Sequence, residues 1–143
     1  MLVRQISVFL ENKSGRLAEV TRRLREENID IRALYIADTT EYGILRMLVD
    51  RPEDALRVLA ANDFTVHATD VIAIAVSDEP GCLEEPLEIL SRAGISLEYL
   101  YAYVGRKAPD AVIILRVADN GQALSEFAKA GIRVLSPQEV YGI

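Results

Sequence analysis

The chain has 143 residues, of which 50% are hydrophobic and 27% charged, and 16 basic against 22 acidic side chains leave a net charge of −6. That composition builds a folded core and excludes a mostly disordered chain. An acidic chain without a basic run is a poor match for a phosphate backbone or an anionic membrane surface, so neither nucleic acid nor membrane is expected as a partner.

The N-terminus, Met1–Lys13, alternates and then turns polar, which does not read as a signal peptide. No apolar run approaches the roughly 20 residues of a membrane span, so a cytoplasmic protein is expected. Gln5–Leu10 alternates with Ile6, Val8 and Leu10 on one face, the pattern of a strand. Leu17, Val20 and Leu24 recur at helical spacing, and Asn28, which tolerates the left-handed conformation, marks the stop. Ile31–Ala37 and Ile44–Val49 read as strands. Pro52–Ala61 reads as a helix opened by proline, and Phe64–His67 as a short closing strand. The order then repeats with strand Val71–Val76, helix Leu83–Ala93, strands Leu97–Val104 and Ala111–Val117, helix Gln122–Ala130 and strand Ile132–Leu135.

The repetition is visible residue by residue. Gly15 and Gly81 lie 66 positions apart. At that offset Ile6 meets Ile72, Leu17 meets Leu83, Leu24 meets Leu90, Asn28 meets Gly94 and Tyr35 meets Tyr101. Further on, Val49 meets Val117 and Ala55-Leu56 meets Ala123-Leu124, an offset of 68. Two residues are therefore inserted in between, near Gly105–Asp110, a stretch of loop composition. The expected organisation is two modules, about 1–69 and 70–143, because solenoids need more repeats than two.

Strand, helix, strand, strand, helix, strand is the split βαβ plan. The fold class is α+β: two ferredoxin-like βαββαβ modules forming a pseudo-symmetric pair, with antiparallel sheets and helices on one face. Leu45, Met47 and Val49, like Ile113, Leu115 and Val117, should lie under the helices, joined by Leu34 and Leu100. Tyr35, Tyr99, Tyr101 and Tyr103 then turn to the other face with Arg46 and Arg116. A face that rich in Tyr is expected to be covered by a partner, which suggests a homodimer. Pro86 replaces Val20 and should displace the start of its helix, disturbing the Gly81 turn. Cys82 reads as a small half-buried residue and His67 as a plain surface position.

One motif points to chemistry. Each first strand runs into a turn at a helix entrance, Asn12-Lys13-Ser14-Gly15-Arg16-Leu17 and Asp78-Glu79-Pro80-Gly81-Cys82-Leu83. The first N–H groups of a helix lack internal partners and carry partial positive charge. Glycine lets a ligand approach them, and a carboxylate would fit there. The side chain of Asn12 or Asp78 could take an ammonium. Asn or Asp in that place is also the ordinary residue of a helix cap. One cysteine and one histidine offer no metal cluster and argue against Cys/His and Ser/His/Asp hydrolases. Neither an enzyme nor a cofactor is expected.

The two turns, each followed by Ile-Asp-Ile or Ile-Ser-Leu, resemble ACT domains, the regulatory amino-acid-binding modules of metabolic enzymes such as phosphoglycerate dehydrogenase. The resemblance covers nearly the whole chain, twice. It implies a standalone, non-catalytic amino-acid sensor that takes a small free amino acid between modules and modulates a partner enzyme of amino-acid metabolism. The alternative is an assembly or regulatory subunit of such an enzyme with no ligand of its own. The implied ligand-binding residues are Asn12, Lys13, Ser14, Gly15 and Leu17 in the first module, Asp78, Pro80 and Gly81 in the second, and Asp30 and Ser96 at the starts of the second strands. The family often has Asn where this chain has Asp30 and Ser96. If sites form across the pair, Asn12 joins Ser96 and Asp78 joins Asp30. Two carboxylates at the second site would repel a ligand carboxylate, so the Asn12 site is expected to be the better one, and the Asp78 site weak, empty or suited to a cation.

Overall fold

The computed structural model describes residues 1–38, 41–104 and 110–142. The inserted stretch, apart from Asp110, lies outside the described residues. Two compact units emerge, Arg4–Thr69 and Asp70–Tyr141, and Met1–Val3 group with the second. Leu2 packs on that unit's core, so the first three residues depart from the expected 1–69 boundary.

The first unit contains β1 (Val3–Glu11), α1 (Arg16–Glu26), β2 (Ile31–Asp38), β3 (Tyr42–Val49) and α2 (Pro52–Ala61). β3 pairs antiparallel with both β1 and β2. Register sets the faces: Ile6 lies opposite Met47 and Val8 opposite Leu45. These residues, with Leu10 and Val49, pack against Val20 and Leu24 of α1 and Ala55, Val58 and Leu59 of α2. Fully burying each such side chain is worth about 1.5–3 kcal/mol.

In the second unit, α3 (Glu84–Arg92), β5 (Leu97–Val104), β6 (Asp110–Val117) and α4 (Asn120–Ala130) repeat the plan. β6 pairs antiparallel with β5 and with the later part of β4 (Thr65–Ser77). Ile72, Ile74, Ile113, Leu115 and Val117 meet Leu90, Ala123 and Phe127 in its core. Each module is thus α+β, with an antiparallel sheet and its helices on one face, as the sequence predicts.

Helix ends follow one rule. Asn28, Asp63, Gly94 and Gly131 all hold positive φ, at 55°, 66°, 69° and 74°. After each, a hydrophobic residue donates its N–H to the carbonyl five residues back along the turn: Ile29 to Leu24, Phe64 to Leu59, Ile95 to Leu90 and Ile132 to Phe127. This is the left-handed helix stop with its accompanying apolar contact, and Asn28 and Gly94 stand where the sequence places it.

Four expectations change. Phe64–His67 and Val71–Val76 are parts of one 13-residue strand, β4. Between them stand Ala68, Thr69 and Asp70, with no Gly or Pro to break the chain. The expected strand Ile132–Leu135 shrinks to β7 (Arg133–Val134), paired with β4, and a further helix, α5 (Pro137–Gly142), follows. Leu34 does share the helix face, opposite Met47, but is 45% exposed, because β2 pairs only with β3 within its unit and is the edge strand there. Finally, the Tyr face is not bare. Leu48, Val112 and Ile114 on it are at most 3% exposed, and Tyr35, Tyr99, Tyr101 and Tyr103 are half-buried within the single chain. The argument from that face to a homodimer therefore falls away. Arg46 on the same face donates to the Tyr35 hydroxyl at 2.8 Å, and Arg116 pairs with Glu98 at 3.2 Å.

Candidate functional site

At the end of β1 the backbone N–H of Asn12 donates to the Glu41 carbonyl at 3.2 Å, and that of Lys13 to the Glu11 carbonyl at 2.7 Å. The Lys13 ammonium folds back onto the Glu11 carboxylate, 2.8 Å away. This contact holds the Glu11 carboxyl below its ordinary pKa, through the hydrogen bond first and the charge second. Gly15 follows with φ 85° and is itself the N-cap of α1, which no side chain caps. Asn12 is therefore not serving as a conventional N-cap. A Cβ added at Gly15 would meet nothing within 4 Å, so glycine is required there by backbone conformation and not by crowding.

Arg16, the first residue of α1, was not among the sequence-predicted site residues. A cation at a helix N-terminus opposes the dipole. Here Glu19 pairs with it at 2.9 Å, and the Phe64 ring lies 4.4 Å beneath its guanidinium, a cation–π distance. The sequence signal is the Arg-x-x-Glu spacing inside the first turn. The aromatic partner, 48 positions away, had no local signal. Asn12, Lys13, Ser14, Gly15 and Leu17 are all exposed and lie together around this turn.

The second turn copies the backbone of the first. Gly81 has φ 90°, and Cys82 N–H donates to the Glu79 carbonyl at 3.2 Å, as Arg16 N–H does to Lys13 at 3.4 Å. The expected disturbance at Gly81 is therefore absent up to Cys82 and begins beyond it. There α3 starts at Glu84, two places later in module register than α1, and its N-cap Leu83 offers no side-chain cap. The late start places Pro86 in the first helical turn, where its missing N–H costs no intrahelical bond. Pro86 is buried in the place of Val20. Asp78, Pro80 and Gly81 are exposed, and Cys82 is a half-buried free thiol.

Asp30 and Ser96 sit at the other ends of the helices. α1 spans 11 residues, so about 16 Å of helix separates the Gly15 turn from the Asp30 segment. No single module brings its turn and its second-strand start together. Asp30 closes a tight knot: its N–H donates to the Asp50 carboxylate at 2.9 Å, its carbonyl accepts from Asp50 N–H at 3.1 Å, and its carboxylate pairs with Arg32 at 2.8 Å. The Arg32 pairing offsets the Asp30 charge, which weakens the expected repulsion from that residue. Ser96 is exposed, and its carbonyl accepts from Ala118 N–H at 3.0 Å. In both modules the strand register shifts just after this position, between Ile31 and Ala33 and between Leu97 and Tyr99. An open groove of about 410 Å³ runs between the end of α1 and the start of β2, with Arg25, Asn28 and Asp30 among its lining residues.

Among the described residues, no group of three or more His, Cys, Asp or Glu is arranged to hold a metal ion. The expectation of a cation at Asp78 therefore has no converging ligand set behind it. No helix among the described residues is long and apolar enough to cross a membrane.

A family model described as an ACT domain pair matches residues 1–132. The chain belongs to that family. It is similar over its full length to the crystal structure of protein BT0572 from Bacteroides thetaiotaomicron, with 36% identity, 98% of that chain covered and a TM-score of 0.94. It also shares its fold with the regulatory subunits of aspartate kinase from Thermus thermophilus and Thermus flavus. The first is 16% identical with a TM-score of 0.63, covering 90% of this chain and 93% of that one. The second is 16% identical with a TM-score of 0.59, covering 92% and 94%. No curated protein matches the chain.

Proposed function

We propose that this chain is a non-catalytic regulatory protein that binds a small free amino acid and passes its occupancy to a partner enzyme. The observation that carries the reading is the Gly15 turn. It presents a helix start with no side-chain cap, a glycine in the left-handed conformation with open space in front of it, and Asn12 exposed beside it. An amino acid offers a carboxylate for the helix N-terminus and an ammonium for the Asn12 oxygen. Structural likeness to regulatory subunits of aspartate kinase makes an enzyme of amino-acid metabolism the partner class to test first. Binding transmits a signal only if the ligand favours one arrangement of the protein over another.

The test is a thermal-shift screen against the twenty amino acids with Asn12→Ala alongside. A ligand selective for the folded state raises the melting temperature once its concentration exceeds Kd. One amino acid giving a dose-dependent shift that Asn12→Ala loses is the expected result. A well-folded sample that responds to none of them defeats the sensor and leaves the assembly subunit of an amino-acid metabolic enzyme.

A further inference from the structure

An open sheet edge can take a strand from another chain, and proteins blunt such edges with charge, proline or cover. Among the described residues β2 pairs with β3 alone, so its other side is an edge. The strand contains no Pro, Lys or Gly, and its register with β3 runs unbroken from Ala33 to Asp38. Leu34 and Ile36 lie opposite Met47 and Leu45 on the helix face. They are 45% and 41% exposed. Ile36 leans over Gly43, where an added Cβ would come 3.0 Å from its Cγ2. Two large apolar side chains, two positions apart on one face, thus stand at the rim of the sheet.

This edge is self-complementary. Arg32-Ala33-Leu34-Tyr35-Ile36-Ala37-Asp38 reads nearly alike in both directions about Tyr35: alanine answers alanine, leucine answers isoleucine, and a basic residue answers an acidic one. Residues directly opposite in an antiparallel pair share a face and touch. A second copy laid antiparallel on β2 about Tyr35 therefore sets Leu34 against Ile36 twice, on the face where both are exposed. It also sets Arg32 opposite Asp38 twice; within the chain Arg32 is held by Asp30 at 2.8 Å. The matching strand of the second module lacks this symmetry. About Tyr101, β5 would oppose Leu100 with Ala102, Tyr99 with Tyr103 and Glu98 with Val104, and Leu100 packs on its own core.

We infer that the free edge of β2 is the contact surface for a second copy of this chain, through antiparallel β2–β2 pairing centred on Tyr35. A two-fold contact needs a patch that complements itself, and this edge does so by size and by charge. The pairing joins two first modules and leaves β5 outside the contact.

Sedimentation velocity of the full chain over a concentration series should show a reversible monomer–dimer equilibrium. Ile36→Lys puts a cation into the middle of the edge, a device that keeps edges apart, and should raise the dimer dissociation constant by ~10-fold or more. Register is read separately. Opposite Cβ atoms lie about 5 Å apart and diagonal ones about 7–8 Å, and only the first approach disulfide geometry. In a Cys82→Ser background under a mild oxidant, Leu34→Cys chains mixed with Ile36→Cys chains should therefore form the mixed disulfide faster than either forms one with itself. This pair carries the test alone if Ile36→Lys does not melt cooperatively. All readouts are taken without ligand, so they stand apart from the amino-acid reading. A chain that stays monomeric throughout overturns the inference and leaves the edge to a strand of another protein. A dimer that folded Ile36→Lys does not weaken, or that shows no preference for the mixed disulfide, uses another surface or register and overturns it too.

Discussion

Gly15 and Gly81 are the residues on which the turns depend. Both hold φ near 90° with open space where a Cβ would go, so an alanine there meets strain and no clash. Gly15→Ala should cost about 1–2 kcal/mol, the penalty of a left-handed L-residue, read as a lowered urea midpoint with an unchanged slope. Under the proposed function such a variant should also bind an amino acid less well, because relieving the strain would move the N–H groups offered to its carboxylate. Phe64 is the other residue with two roles. It is 5% exposed in the first core and lies under the Arg16 guanidinium. Phe64→Ala should cost about 3–5 kcal/mol, as a large core truncation does, and thermal melting would show it. The roles of Gly15 and Gly81 could be read from one stretch of sequence, because φ and helix entrance are local. The Phe64–Arg16 contact and the Asp30–Asp50 knot could not, because each joins segments 20 or more positions apart with no periodic signal between them.

At the scale of elements, apolar periodicity located the strands and helices of both modules, and Pro52–Ala61 and Leu97–Val104 match α2 and β5 end for end. The misses have physical causes. β4 is continuous across the repeat boundary because Ala68, Thr69 and Asp70 contain no breaker. α5 has only a local signal, Ser136-Pro137-Gln138-Glu139, a capping box with proline at its first helical position, and is too short for apolar periodicity to show it. Glu139 N–H donates to the Ser136 hydroxyl at 3.2 Å, and Ser136 N–H donates to the Glu139 carboxylate at 2.8 Å. Ser136→Ala should destabilise α5 by about 1 kcal/mol, seen as faster amide exchange at Val140. The same helix should respond to acid. The Ser136 backbone hydrogen bond, then the Arg133 guanidinium 3.0 Å away, hold the Glu139 carboxyl below its usual value. Its folded pKa is thus lower than its unfolded one. The stabilisation is complete above the ordinary glutamate range, about 4.3, and is lost as pH falls through the folded value. A carboxyl-detected NMR titration should place the Glu139 midpoint below the ordinary glutamate value, with Ser136→Ala, which keeps the backbone N–H, raising it only in part, and a midpoint at the ordinary value in the native chain would remove the capping box from the account.

Across the whole molecule, duplication is what the sequence states most clearly, and the modules depart from it mainly on their exposed turns. The modules agree where packing decides. Ile6 and Ile72, Leu24 and Leu90, and Val49 and Val117 hold the same places in the two cores. They diverge where a ligand would touch: Lys13 against Glu79, Arg16 against Cys82, Asp30 against Ser96. A core position tolerates only apolar residues of suitable size, whereas an exposed turn is free to change charge while its backbone is kept. Two turns that share a backbone as far as the residue after the glycine, one with balanced charge and one with four carboxylates and no cation, should therefore respond differently to the same ligand. Hydrogen exchange followed by mass spectrometry, with and without the amino acid selected by thermal shift, separates the responses. Local opening is slowed where a ligand holds the chain, so peptides covering residues 12–20 should gain protection. Peptides covering 78–86 should keep their free-state rates, because Glu84 and Glu85 would repel a ligand carboxylate. Equal protection of both stretches would mean that the second turn binds despite its charge, and that the duplication extends to function.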